Sequence, residues 1–171
     1  NGEPVVVKNP NPTVSVLSYV RQEQALMGTK EGCAEGDCGA CTVVVGERVD
    51  GQLRTRTVNA CILFLPTLDG KALFTVEYLR RQNGSQNDGH NRGQNNGRKG
   101  DLHPVQQAMV DCHGSQCGFC TPGIVMSLWD KYNEFTDSDG ANAARPDRPD
   151  RQELADHLSG NLCRCTGYKP I

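Results

Sequence analysis

The sequence predicts an α+β protein made of two small lobes, and three observations point to it. Residues 1–81 combine one helical stretch with short β-branched runs. Residues 101–171 carry helix-start signals and helical apolar spacing, with no strand-like alternation. Between them, residues 82–100 read QNGSQNDGHNRGQNNGRKG, almost without apolar side chains. Such a stretch cannot bury enough surface to offset its ordering entropy, so it reads as a flexible linker or insert. The expected domains are therefore 1–81, 82–100 and 101–171.

In the first lobe, Asn1-Gly2 reads as a tight turn and residues 4–7 as a strand, with a further strand expected before Asn1. Residues 13–26 predict a helix with Val14, Leu17, Val20 and Leu26 on its apolar face and Thr13 or Ser15 near its cap. Residues 42–45, 54–58 and 71–76 predict three strands. A helix folded across a small mixed sheet is the β-grasp pattern. In the second lobe, Pro104 opens a helix over Val105, Ala108 and Met109, and Thr121-Pro122 opens another over Ile124, Val125, Leu128 and Trp129. Residues 137–150 are polar and read as a loop. Residues 151–158 predict a third helix with Leu154, Ala155 and Leu158 inward and Gly160 closing it, and a fourth helix is expected from Tyr168. The second lobe thus reads as a four-helix bundle.

Bulk composition excludes several function classes. The chain has 171 residues and a net charge of -2, so it carries no basic footprint for nucleic acid or an anionic membrane. No run approaches the roughly 18 apolar residues of a membrane span. With 36% hydrophobic residues, two small lobes have thin cores and gain from metal-centre staples. No secretory or transit leader is visible, and a cytoplasmic location is expected.

The nine cysteines carry the chemistry. Cys33, Cys38 and Cys41 are spaced C-x4-C-x2-C, and Cys61 follows after 19 residues. This is the plant-type 2Fe-2S spacing: one short loop presents three thiolates and a fourth arrives from elsewhere in the fold. Gly32, Gly36 and Gly39 let that backbone wrap closely. A zinc knuckle is the competing reading, but zinc sites favour two C-x2-4-C pairs or Cys/His mixtures, and no histidine is near. Glu31, Glu35 and Asp37 flank the ligands and read as a solvated loop surface. Downstream, Cys117 and Cys120 form C-x2-C and Cys163 and Cys165 form C-x-C. Two such pairs make a second set of four. Cys112, Cys117 and Cys120 also fit C-x4-C-x2-C, so either Cys112 or one of the C-x-C pair is the odd thiol out. The two-pair arrangement is the simpler site. Disulfides are disfavoured by the close pairs in glycine-containing loops. His103, His113 and His157 read as structural, with His103 at a helix start.

Three segments, GTKEGCAEGDCGACTV, LHPVQQAMVDCHGSQCGFCTPGIVMSLW and GNLCRCTGYKPI, resemble the signatures of the iron–sulfur part of the molybdenum hydroxylase family. The middle segment is most similar to the xanthine dehydrogenase branch of that family. The resemblance implies a plant-type ferredoxin domain followed by a four-helix domain, each holding one 2Fe-2S cluster. It implies that Cys33, Cys38, Cys41 and Cys61 hold the cluster nearer FAD. Cys117, Cys120, Cys163 and Cys165 would hold the cluster nearer molybdenum, Gln116 would contact the molybdopterin, and the Cys165 thiolate would lie close to it. Cys112 stands where the family does not usually place cysteine. The implied partners are a molybdopterin-binding and an FAD-binding domain or subunit of a larger assembly. Substrate, xanthine in purine catabolism, would be hydroxylated at molybdenum, and electrons would pass singly through the clusters to FAD and NAD. The resemblance also covers aldehyde- and carbon monoxide-oxidising relatives, and a free-standing ferredoxin-type carrier is a further rival. No residue of this chain is expected to act as a catalytic acid or base.

Overall fold

A computed structural model describes residues 1–82, 102–136 and 149–171. The expected linker lies outside the described residues from 83 onward, as does most of the expected loop at 137–150.

The first helix, α1, runs Val16–Ser18 and continues as a π-helix over Tyr19–Glu23. Ser15 caps it, its hydroxyl accepting from the Ser18 N–H at 3.1 Å. The expected start at residue 13 is too early. The Asn11 side-chain oxygen accepts from both the N–H and the hydroxyl of Thr13, at 3.0 and 2.9 Å, and this local turn competes with helix. Val16, Leu17, Tyr19 and Val20 are buried.

Three strands form one antiparallel sheet in the order β2-β1-β3: β1 is Thr42–Val49, β2 is Gln52–Asn59 and β3 is Ala72–Phe74. The expected mixed sheet is thus antiparallel among the described residues. β1 and β2 are four and three residues longer than the runs of strong β-formers, because Asp50 and Gly51, at φ +52° and +82°, make the two-residue hairpin turn that keeps the ladder paired to Val49↔Gln52. Residues 4–7 are not a strand. Val5 and Val6 are 61% and 83% exposed, and a β-branched run without a ladder partner stays open.

The apolar run Val43-Val44-Val45 is buried because β1 is covered on both faces. Val43 belongs to a core with Val16, Leu17, Tyr19, Val20, Cys41 and Ala60. Val44 belongs to another with Phe74, Leu79, Val105, Met109, Ile124, Val125, Met126 and Trp129. The second core unites the two expected lobes: the Trp129 ring meets Phe74 and Tyr78 edge-on, with centroids 5.4 and 5.7 Å apart. Leu79 enters this core from α2, Val76–Gln82, a helix whose start the sequence pattern assigns to a strand.

A short 3-10 helix spans Leu65–Leu68, and helices α3 (Pro104–Asp111), α4 (Thr121–Thr136) and α5 (Arg151–His157) complete the elements among the described residues. His103 caps α3: its Nδ1 accepts from the Val105 N–H at 3.3 Å, and its own N–H donates to Gln106 Oε1 at 3.1 Å. Burial holds its pKa below the usual value. Cys112 is the C-cap of α3. On α5, Asp150 accepts from the Glu153 N–H at 2.7 Å. Replacing it, Asp150→Ala, is expected to cost about 0.5–2 kcal/mol in denaturant unfolding, because α5 has no fully buried side chain to hold it otherwise. Ala155 is exposed rather than inward, while Leu158 packs on the core. Gly160 is not left-handed, since α5 is closed at Leu158. The helix expected from Tyr168 is not formed: residues 167–170 make a turn with Tyr168 at φ +63°.

Candidate metal centres

The first cysteine loop leaves α1 and runs into β1. Its fourth thiol, Cys61, follows the end of β2, so the hairpin returns Cys61 to Cys41. Their sulfurs lie 3.3 Å apart, too far for the roughly 2.05 Å of a disulfide. All nine cysteines are free. Cys33 and Cys38 form a second pair in hydrogen-bonding reach. The Cys33 sulfur faces the backbone N–H groups of Glu35, Asp37 and Cys38 at 3.5, 3.3 and 3.4 Å. Those donors pull its thiol down to about 6, Glu35 contributing most. The loop turns back on itself through Ala34, Gly36 and Gly39, at φ +58°, +84° and +68°. Glu31, Glu35 and Asp37 line this loop, and Glu31 and Glu35 are exposed, as a solvated loop surface requires.

Asn59 carries no signal in the sequence that marks it out. It ends β2, and its Nδ2 donates to the Gly36 carbonyl at 2.6 Å, tying the loop to the sheet. An asparagine near a cysteine is too common to be noticed without the fold.

The second set joins the start of α4 to the segment after α5. Cys117 reaches Cys165 and Cys120 reaches Cys163. The tertiary fold thus brings together the two short pairs that lie about 40 residues apart in sequence. Cys117 and Cys165 are exposed, as is Gln116, the chain neighbour of Cys117, whereas Cys163 is buried. Burial raises Cys120 to about 12, and Cys41 likewise, by removing the thiolate from water. Cys163 moves the other way, down to about 7: burial opposes the shift, and hydrogen bonds involving Thr166, Cys120 and the Cys165 backbone together outweigh it. Cys112 is exposed at the end of α3, and its thiol is not in either paired set.

Each set of four thiols is built from two close pairs, Cys33 with Cys38 and Cys41 with Cys61 in one, Cys117 with Cys165 and Cys120 with Cys163 in the other. This pattern fits a two-iron cluster, where four cysteines serve two irons. A bound iron would offset the burial that disfavours thiolates at Cys41 and Cys120, because ligation would displace the thiol proton. His103 and His157 are engaged elsewhere, His103 in its cap and His157 through Nε2–H to the Ser127 carbonyl at 2.8 Å. Among the described residues, no helix is long and apolar enough to cross a membrane.

The two cysteine loops touch. The Leu162 N–H donates to the Cys38 carbonyl at 3.0 Å, one residue before Cys163. Asn161 donates to the Gly39 carbonyl at 3.1 Å. The approach is so close that a Cβ on Gly39 would lie 2.2 Å from the Gly160 carbonyl oxygen.

Comparison with known proteins places these features. Residues 1–65 match the model of a 2Fe-2S iron-sulfur cluster binding domain, and residues 91–171 match that of a [2Fe-2S] binding domain. The whole chain is 43% identical to xanthine dehydrogenase of Blastobotrys adeninivorans, covering 10% of it. It is 41% identical to aldehyde oxidase 4 of Cavia porcellus, covering 11% of it. The chain therefore spans about a tenth of the length of these curated relatives. Among solved structures, aldehyde oxidoreductase from Desulfovibrio gigas aligns with a TM-score of 0.66 and 30% identity, over 98% of this chain and 15% of that one. Quinoline 2-oxidoreductase from Pseudomonas putida 86 aligns with a TM-score of 0.65 and 29% identity, over 94% of this chain and 77% of that one.

Proposed function

This chain belongs to the 2Fe-2S iron–sulfur domains of the molybdenum hydroxylase family, and we propose that it relays electrons singly from a molybdenum cofactor, through two 2Fe-2S clusters, to FAD and NAD in a xanthine dehydrogenase-like assembly. The observation that carries the reading is the direct contact between the two cysteine loops, Leu162 N–H to Cys38 carbonyl, which supports two cysteine sets acting side by side.

Residues 1–81 hold one cluster through Cys33, Cys38, Cys41 and Cys61, on the FAD side. Residues 101–171 hold the other through Cys117, Cys120, Cys163 and Cys165, on the molybdenum side. When bound, each cluster takes up and passes on one electron. The chain's own work is to supply thiolates, to aim N–H groups at Cys33, and to bury Cys41 and Cys163 from water. Gln116, exposed and next to Cys117 in the chain, is the residue proposed to meet the molybdopterin. Exposed Ile62, Phe64, Phe119 and Leu162 support packing of this chain against molybdopterin- and FAD-binding partners, whether domains or subunits.

The near-equal identity to an aldehyde oxidase supports a second reading, an aldehyde-oxidising assembly with the same relay. Iron and acid-labile sulfide per chain test the clusters: about four of each, with two EPR signals after reduction, is expected, and zinc without sulfide overturns the reading. Turnover of the whole assembly with xanthine against an aldehyde, and with NAD as acceptor, tests the finer part. Cys112→Ala is expected to keep both EPR signals and to change stability by no more than about 0.5 kcal/mol, as for an ordinary exposed site. Loss of one signal would reassign the ligand set.

A further inference from the structure

The contact between the cysteine loops has one side chain at its centre. Asn161 is 5% exposed, and both polar atoms of its carboxamide are used. Its Nδ2 donates to the Gly39 carbonyl and to the Thr42 hydroxyl, both at 3.1 Å. Its Oδ1 accepts from the Ser127 hydroxyl at 2.7 Å, and the Gly39 carbonyl, which can only accept, fixes which way the amide faces. Gly39 lies between Cys38 and the Ala40–Cys41 end of the first loop, Ser127 stands on α4, and Asn161 is two residues before Cys163. Backbone fills the rest of the seam. A Cβ on Gly123 would lie 2.2 Å from the Gly39 carbonyl oxygen, so α4 and the first loop also meet with no side chain between them. Buried side chain–backbone bonds across more than a hundred residues of sequence hold a geometry that local structure cannot.

We infer that Asn161 is a positioning residue: by joining Gly39, Thr42 and Ser127 it sets the spacing and orientation of the two cysteine sets, and so the coupling between the clusters they hold. This rests on the reading that both sets hold clusters. The side-chain bonds of Asn161 go to neither set, so its loss leaves all eight proposed ligands in place.

The test is the magnetic interaction between the clusters in the fully reduced holoprotein, read as splitting and relaxation broadening in low-temperature EPR. Asn161→Ala is expected to keep iron, sulfide and both sets of g values, and to lose the splitting. Retention of both clusters with unchanged splitting overturns the inference. If Asn161→Ala does not load both clusters, Ser127→Ala decides by the same criterion. It removes only the bond that ties Asn161 to α4, and reduced splitting is expected. Unchanged splitting there overturns the inference as well. A parent protein with both clusters but no interaction between them also overturns it and leaves the proposed clusters standing. A parent protein without iron overturns the cluster reading itself.

Discussion

Cys41→Ser is expected to abolish one cluster and spare the other. Cys41 is 2% exposed at the start of β1, and its sulfur lies 3.3 Å from that of Cys61 at the end of the paired strand β2. A serine oxygen there is a harder, more basic donor than thiolate and sits in a site burial already makes unfavourable for an anion. If Cys41 and Cys61 hold one iron between them, as proposed, the substitution would remove half of that iron's protein ligands. About two of about four irons should be lost per chain, with one EPR signal gone and the other unchanged. Because the second set draws its thiols from the turn before α4 and the segment after α5, its signal has no reason to disappear with the first. Loss of both signals would contradict two separate sites. Retention of both would remove Cys41 from the ligand set.

Trp129→Ala is expected to cost about 3–5 kcal/mol, the usual range for emptying a buried aromatic site. Trp129 is 3% exposed on α4, and its ring packs against Phe74 of β3 and Tyr78 of α2. The cavity left behind would open between the expected domains rather than inside one of them. Unfolding measured by denaturant should stay a single transition in the parent protein, because Val44, Leu79, Ile124 and Trp129 share one core. In the variant the transition should move down sharply. Two transitions in the parent protein would mean that the two parts hold their own cores, and the large effect would then fall on the second part alone.

The cysteine spacing was legible because ligand geometry acts locally: C-x4-C-x2-C, C-x2-C and C-x-C each demand a short loop with set reach, whatever surrounds it. The fold class was legible for a related reason. The β-branched run at 42–45 and the helix starts at His103-Pro104 and Thr121-Pro122 act within a turn or two of chain. Other features depend on partners far away in sequence. Residues 4–7 have strand composition but no ladder to join. Ala155 sits at an inward spacing, yet α5 touches the rest of the molecule too lightly to bury it. The helix α2 was hidden because its defining feature, Leu79 at 0% exposure, is a place in a core shared with α4 and β1.

The sequence by itself therefore determined the thiol inventory, the grouping of the cysteines into short motifs, the α+β class and the resemblance to an iron–sulfur family. The tertiary structure decided how those motifs meet. It paired Cys41 with Cys61 across a hairpin and Cys117 and Cys120 with Cys165 and Cys163 across α4 and α5. It left Cys112 at a helix end and put Asn161 in the seam between the loops. The physical reason is the range of the forces involved. Propensity, capping and loop reach are set by neighbours in the chain, while burial and shared hydrogen bonds exist only once distant segments have packed.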